Sequence, residues 1–519
     1  MSNTKTIARN TGWYGIESAI NVGVGLFTSI AIARTLGPYR MGYLIYLSWV
    51  ATVVSSLGGV GIPATTRKYM AEFLGRGDRG TARYIYIRTL LLQGAMATLA
   101  TGAILIWVLG DAQAEYRAPA VLIALSIWPG MINFVSAQAN VAREEMSANL
   151  PGSVTSMITF FLGIAGTVVF KWGVLGVGAS MFAMRLADFL VRFVPTLRRI
   201  LTWESAHVVP AGLRRRMITF AWQSIATMVV ALIVWERSEF FLLKKFCSDI
   251  RQVAFYSVAF SMADRLLLPS TIFGSATGAT IYAQFGRDKS RIPDIASSAF
   301  RYLTLTAIPL HFIFAALAVP ALLLLYGHEY TGAAMVVTLA PILCMPKAFI
   351  GPVQDLLQSH ERQSYVIITT VVAGVVDIGV AWWLVRSNGA VGACIGSGVA
   401  QFTAIIILWL VACCLFEVKL PWMLLGKITC FSVLTAIAVH LLVVRVAPLW
   451  GLLGGGVASF VLFVIFLYTM RILERQDRER INTITNRLPG SIAQLVDGIL
   501  SRLIRDESFV AKVVANTTK

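Results

Sequence analysis

The chain has 519 residues, of which 57% are hydrophobic and 13% charged, with a mean hydropathy of +0.73, against roughly 25% charged in ordinary soluble domains. This composition excludes a soluble globular protein. At roughly 20 apolar residues per crossing, it accommodates about a dozen or more membrane helices and no large extramembrane domain. The net charge of +18 would suggest nucleic acid in a soluble chain, but here it belongs to loops that alternate in basic content.

Met1 to Asn10 are polar, with Lys5 and Arg9. The apolar run from Thr11 has no small-residue cleavage site and outruns a signal-peptide core, so it is expected to be a retained helix. The stretch Ala33-Arg34-Thr35-Leu36-Gly37-Pro38-Tyr39-Arg40-Met41-Gly42 then joins it to a second run as a transmembrane hairpin. That second run dissolves into Gly58, Gly59, Gly61 and Pro63 before Arg67 and Lys68, which marks these four as a bending point and half of a gate. Apolar runs continue at 84–110, 118–141, 150–171, 174–197, 216–243, 253–283, 298–326, 332–357, 364–386, 390–416, 423–445 and 449–473. With 11–34 and 41–63 they make about 14 helices.

Lys and Arg collect in alternate loops: Arg67 to Arg88; Arg198, Arg199 and Arg214 to Arg216; Arg287, Lys289 and Arg291; and the tail after Arg471. Lys244, Lys245 and Arg251 depart from the pattern. The rule places both termini in the cytoplasm of a multi-pass protein of the cell inner membrane. The six cysteines lack CxxC spacing and read as packing residues, with no metal site. His311 and His440 are lone histidines on apolar helices and read as packed or hydrogen-bonded.

An internal repeat organises the chain. Gly173-Val174-Leu175-Gly176 recurs as Gly389-Ala390-Val391-Gly392, and Arg143-Glu144-Glu145 as His360-Glu361-Arg362. The expected fold is therefore all-α: two six-helix lobes related by a pseudo-two-fold axis along the membrane normal, plus two extra helices and an amphipathic C-terminal helix. The divisions are an N-terminal lobe at 1–200, an amphipathic cytoplasmic linker at 201–215, a C-terminal lobe at 216–417, two additional helices at 418–473 and a cytoplasmic tail at 474–519. In the tail, Leu495, Val496, Ile499, Leu500, Leu503 and Ile504 recur at helical spacing. That face suits the inner leaflet, a synthesis partner or the inner gate.

The motif Ala33-Arg34-x-Leu36-Gly37-Pro38-x-x-x-Gly42, with Gly61 and Arg67-Lys68-Tyr69-Met70-Ala71, resembles the bacterial polysaccharide (O-antigen type) flippases of the multidrug/oligosaccharidyl-lipid/polysaccharide exporter superfamily. The paired Gly-x-x-Gly is similar too. The resemblance covers roughly residues 5 to 473. It implies two lobes around a cationic cavity and movement of a polyprenyl-diphosphate-linked oligosaccharide from the cytoplasmic to the outer leaflet by alternating access. It also implies drive from an ion gradient (Na+ or H+) or the membrane potential. Expected partners are the lipid-linked oligosaccharide, membrane lipids and a polysaccharide polymerase or synthesis complex, and not nucleic acid.

A diphosphate selects for guanidinium, which stays charged and binds phosphate oxygens in a fork, and ionisable groups at membrane depth are costly enough to be functional candidates. Arg185, Asp188 and Arg192 share one helix face. Arg34, Arg237, Arg265 and Lys347 complete the substrate-binding set. Arg34 and Arg192 could instead snorkel to an interface, and Arg265, Asp264 and Lys347 could form structural ion pairs. Glu17, Asp188, Asp264 and Asp377 are ion-coupling candidates, because a carboxylate at low dielectric is readily neutralised by a proton or sodium. The alternative for Glu17 and Asp377 is a polar inter-helix hydrogen bond.

No DxD, DDxxD or GxxxxGK[ST] motif occurs, so an enzyme or direct ATP coupling is not expected. Rival readings are a lipid-linked peptidoglycan-precursor flippase, a multidrug/cation antiporter of the same superfamily, which would want an acidic cavity, and a non-transporting scaffold.

Overall fold

Glycine decides where this chain turns. The computed structural model describes the backbone of residues 2–59, 61–111, 114–205, 209–222, 224, 238–285, 288–443 and 446–470, and most side chains from Gly23 onward. The first element, α1 (Ser2–Gly58), joins the expected helices 11–34 and 41–63 across a bend at Gly37, whose φ of 69° and ψ of 172° are non-helical. Helices α2 (Ile62–Gly75), α3 (Arg79–Asp111), α4 (Ala114–Ala142), α5 (Leu150–Val169) and α6 (Gly173–Leu201) follow. Gly61 precedes α2 at φ 75°, with Pro63 in its first turn. The second hydrophobic run is therefore broken at the expected glycines.

Half of the expected helix 216–243, including Arg237, lies outside the described residues, as do the side chain of Glu17 and the tail at 474–519. Beyond it come α7 (Glu239–Phe246), α8 (Arg251–Arg265), α9 (Leu268–Phe285), α10 (Ile292–Tyr326), α11 (Ala334–Cys344), α12 (Ile350–Ser359), α13 (Gln363–Phe416), α14 (Trp422–Val443) and α15 (Pro448–Thr469). Among the described residues, ten helices are long and apolar enough to cross a membrane. The expected helix 253–283 is two, because Pro269 in the first turn of α9 cannot donate back to the preceding turn. The expected helix 332–357 is likewise divided, by a 3-10 stretch at Met345–Phe349 that carries Pro346 and Lys347. Among the described residues the regular structure is entirely helical.

Each part of the repeat has a local cause. Gly173 and Gly389 adopt φ 59° and 53°, the left-handed region that reverses the chain between two antiparallel helices. One turn on, an added Cβ at Gly176 would stand 2.5 Å from Thr167 Oγ1, and one at Gly392 would stand 2.3 Å from the Leu384 carbonyl oxygen. The first glycine turns the chain and the second lets the helices touch. Glu144 and Glu361 both take φ 59°, and the following amides reach back to Asn140 O (3.0 Å) and Leu357 O (2.8 Å). These are matching Schellman closures of α4 and α12.

Helices α1 to α6 pack on one another, and α7 to α13 form a second group, with α14 and α15 laid against α10. The last contact joins Ala316 and Leu317 to Val439 and Val443. The two groups meet mainly through α1, which packs on α7, α8 and α10. Large apolar side chains such as Ile106, Phe460 and Trp383 remain 68% to 75% exposed on the outside, as a lipid-facing surface requires. The protein is a multi-pass membrane protein.

Gly392→Ala is expected to lower stability by about 1–3 kcal/mol, because the methyl meets backbone that cannot rotate away. Thermal unfolding in detergent should show a depressed midpoint, and an unchanged midpoint would contradict the close-approach account.

Candidate functional site

The glycine bends at Gly37, Gly173 and Gly389 lie on one face of the bundle, the turn face. The loops around Arg76, Arg143 and Lys289 lie on the other, the basic face. At the turn face the two groups are sealed. Arg34 Nε donates to Leu325 O at 2.7 Å and its Nη2 to Leu324 O, in the last turn of α10, where carbonyls lack intrahelical partners and the helix dipole favours a cation. The Tyr330 hydroxyl donates to Ala33 O at 3.3 Å. A Cβ on Gly42 would stand 2.3 Å from Ile250 O, so the backbones nearly touch. Below this, Trp49 meets Phe240 edge-on at 6.3 Å and Phe240 meets Tyr256 at 5.4 Å. At the basic face α2 packs on α3 and α4, and α9 on α10 and α12, and among the described residues α2 and α9 do not pack extensively on each other.

Three cavities open from this arrangement. In the first group, about 140 Å³ is lined by Ser48, Thr52, Ser55, Ser126, Gly130 and Arg185. In the second group, about 490 Å³ is lined by Ser270, Thr271, Tyr282, Lys347, Gln354 and Asp355. The largest, about 1340 Å³, lies at the basic face beside Arg67, Arg79, Arg143 and Arg199. Three of its charges are spent on one another. Glu145 is gripped by both Arg199 nitrogens at 2.7 and 2.8 Å and also pairs with Arg143. Burial draws the Arg143 guanidinium below its usual pKa, and Glu145 opposes that shift.

The face that carries Arg185, Asp188 and Arg192 divides in two. Arg192 Nη2 lies 2.9 Å from Asp188 Oδ1 and donates to Ser153 Oγ at 2.8 Å. Gly152 makes room for the pair, since a Cβ there would stand 2.5 Å from Asp188 Oδ1. Arg185, by contrast, has no ion-pair contact or hydrogen bond among the described residues, although Asp188 attracts its charge from one turn away. Its side chain passes Gly130 and lines a cavity of serine and threonine residues mixed with Ile127, Phe134, Met181 and Met184.

In the second group, Arg265 is half-buried and its Nη1 donates to the carbonyl and hydroxyl of Ser261, one turn back. Asp264 Oδ1 lies 3.6 Å from Cys344 Sγ, so the adjacent acid and base are used separately, as their angular separation on a helix requires. Lys347 lines the larger membrane cavity. His311 is buried and bonds Ala307 O at 2.7 Å. Gly58 packs on Met131 and Gly59 sits near Gln93, so the expected gate glycines lie where α1 passes into α2.

Asp377 is 2% exposed, and its carboxyl lies beside that of Glu239, itself 1% exposed, so two acids are buried together. The sequence marked Asp377 as isolated and gave Glu239 no role. The two lie far apart along the chain, and only the packing of α7 against α13 joins them. The acidic character of both within apolar runs was the one available signal.

No protein-family model matches the chain. A curated relative, the succinoglycan biosynthesis transport protein ExoT of Rhizobium meliloti, is 21% identical over 367 residues, covering 67% of this chain and 68% of ExoT. Among solved structures, the lipid II flippase MurJ in an inward closed conformation superposes with a TM-score of 0.69 at 14% identity, over 88% of this chain and 98% of MurJ. An inward-facing multidrug resistance MATE transporter gives 0.59 at 15% identity, over 77% and 94%. A transporter of the same superfamily from Pyrococcus furiosus gives 0.53 at 14% identity, over 80% and 96%. All are transporters or flippases and none is an enzyme, in line with the expectation from the sequence. The chain has the fold of the multidrug/oligosaccharidyl-lipid/polysaccharide exporter superfamily, whose hairpin and Gly-x-x-Gly motifs its sequence resembles.

Proposed function

We propose that the chain is a flippase that carries a polyprenyl-diphosphate-linked oligosaccharide from the cytoplasmic to the outer leaflet for surface polysaccharide assembly. The observation that carries this reading is Arg185: a guanidinium with no ion-pair contact lining a membrane cavity, in a chain where Asp188 makes its close contact with the neighbouring Arg192. An unpaired cation at that depth is costly unless an anion visits it, and a diphosphate satisfies the guanidinium fork. The relative named for succinoglycan transport and the fold shared with a lipid II flippase support the same substrate class.

In this reading the basic face is cytoplasmic, and the sealed turn face with α2 and α9 apart at the basic face is the inward state. Arg34 acts as a latch rather than a ligand, because its guanidinium is already committed to the α10 carbonyls. Release of that latch, with bending at Gly61, would open the turn face. The Glu239 and Asp377 carboxyls are the coupling element: a proton or sodium held between them offsets their charge, and its loss puts two like charges side by side and favours a different packing of α7 on α13. A peptidoglycan-precursor flippase is the second reading, favoured by the likeness to the lipid II flippase MurJ. The cations at membrane depth speak against a cation antiporter.

Two outcomes check this. In proteoliposomes, Arg185→Ala should slow flipping of a fluorescent polyprenyl-diphosphate saccharide at least about tenfold, a loss of about 1.4 kcal/mol, and Arg185→Lys should recover it only in part. An unaltered rate in Arg185→Ala would end the proposal. Wild-type flipping should also respond to an imposed proton or sodium gradient, and Glu239→Gln/Asp377→Asn should abolish that response. A wild-type rate indifferent to both gradients would remove the coupling role.

A further inference from the structure

The second-group cavity contains more recognition chemistry than a diphosphate uses. At about 490 Å³ it falls within the ~300–1,000 Å³ typical of small-molecule sites. One wall is Lys347 in the 3-10 stretch, and the other is Tyr282, Gln354 and Asp355, where α9 crosses α12. The Tyr282 hydroxyl divides its single proton between Asp355 Oδ1 at 3.3 Å and Gln358 Oε1 at 3.2 Å. Both bonds are long, and one donor leaves most of the carboxylate and amide lone pairs unused. No cation pairs with Asp355 among the described residues.

The position of this carboxylate depends on glycine. A Cβ on Gly278 would stand 2.2 Å from Asp355 Oδ2, and the backbones at Gly274 and Gly351 pass close enough that a Cβ on either would stand 3.6–3.9 Å from the other's Cα. Any side chain at 278 would push Asp355 out of the wall. A carboxylate with open lone pairs, the Gln354 amide, which both donates and accepts, and Tyr282, which is 46% exposed, form one polar wall, with the exposed Gln358 beside Tyr282 at the edge of the cavity. Those groups match vicinal sugar hydroxyls, each of which is a donor and an acceptor beside an apolar C–H face. Lys347 and Asp355 are about two turns apart, ~12 Å along a helix axis. A headgroup with its phosphates near Lys347 would therefore lay its next unit against Tyr282 and Asp355, toward the basic face.

We propose that Tyr282, Gln354, Asp355 and Gln358 form a carbohydrate subsite that recognises the hydroxyls of the sugar next to the diphosphate. This rests on the flippase reading above and adds to it the residues that tell a glycosylated lipid from a bare one. The test compares binding of a fluorescent polyprenyl diphosphate with binding of the same lipid carrying one hexose, in the full-length reconstituted protein. Wild type should bind the hexose form at least about tenfold tighter, which is about 1.4 kcal/mol. In Tyr282→Phe and Asp355→Ala that ratio should collapse to near one. Gly278→Ala, which displaces Asp355 without removing it, should do the same, whereas Arg185→Ala should lower both affinities together and keep the ratio. Equal wild-type affinity for the two lipids, or a ratio untouched by Asp355→Ala, would overturn the subsite. So would selective loss of tetraphenylphosphonium binding in Asp355→Ala, which would make this a cation site. Failure of wild type to bind either lipid would count against the flippase reading itself.

Discussion

The arrangement depends on one seam, where α1 bends at Gly37 and lies against α8 and α10. There the backbones of Gly42 and Ile250 nearly touch, and Arg34 closes the seam by donating to the last carbonyls of α10. Nothing in hydrocarbon drives helices together by hydrophobicity alone, so close backbone contact and interhelical hydrogen bonds carry the association. Among the described residues the two groups of helices meet mainly through α1, and cavities lie toward the other face. A seam built of a few directional bonds on a glycine bend is also one that can be remade. It suits two discrete packings better than a continuous deformation.

Charge placement follows the same economy. Arg192 and Asp188 pair beside Gly152, Arg265 donates to Ser261, and Glu239 and Asp377 are buried together inside the second group. Arg185 and Asp355 have no ion-pair contact among the described residues. Both line cavities, and they lie in opposite groups, so a single elongated headgroup could engage the two lobes and bias their relative arrangement.

Much of the fold was legible because its causes are local. The Gly-x-x-Gly pairs at 173 and 389 are read from sequence since a left-handed turn followed by a close helix contact admits little else. Glu144 and Glu361 mark equivalent helix ends for the same reason. The break between α8 and α9 was signalled by Pro269 and read through, because an unbroken apolar run outweighed one residue. Asp188 and Arg192 could be placed on one face from spacing, but spacing alone did not decide that they would pair and leave Arg185. The Glu239–Asp377 contact and the Tyr282–Asp355 wall were illegible. Each joins residues distant in sequence through helix packing, and a carboxylate in an apolar run looks the same whether it meets another acid, a phenol or nothing.

The central claim is that the sealed turn face and the open basic face exchange when the headgroup is carried. Spin labels at Tyr39 and Thr331 report the first, and labels at Arg76 and Lys289 the second; all four positions are exposed. Pulsed dipolar distances in lipid nanodiscs, with and without a polyprenyl-diphosphate saccharide, measure both. The account predicts opposite shifts, with the turn-face distance lengthening in the population whose basic-face distance shortens. Distances that change together, or a turn face that stays closed under every substrate and gradient condition, would contradict it.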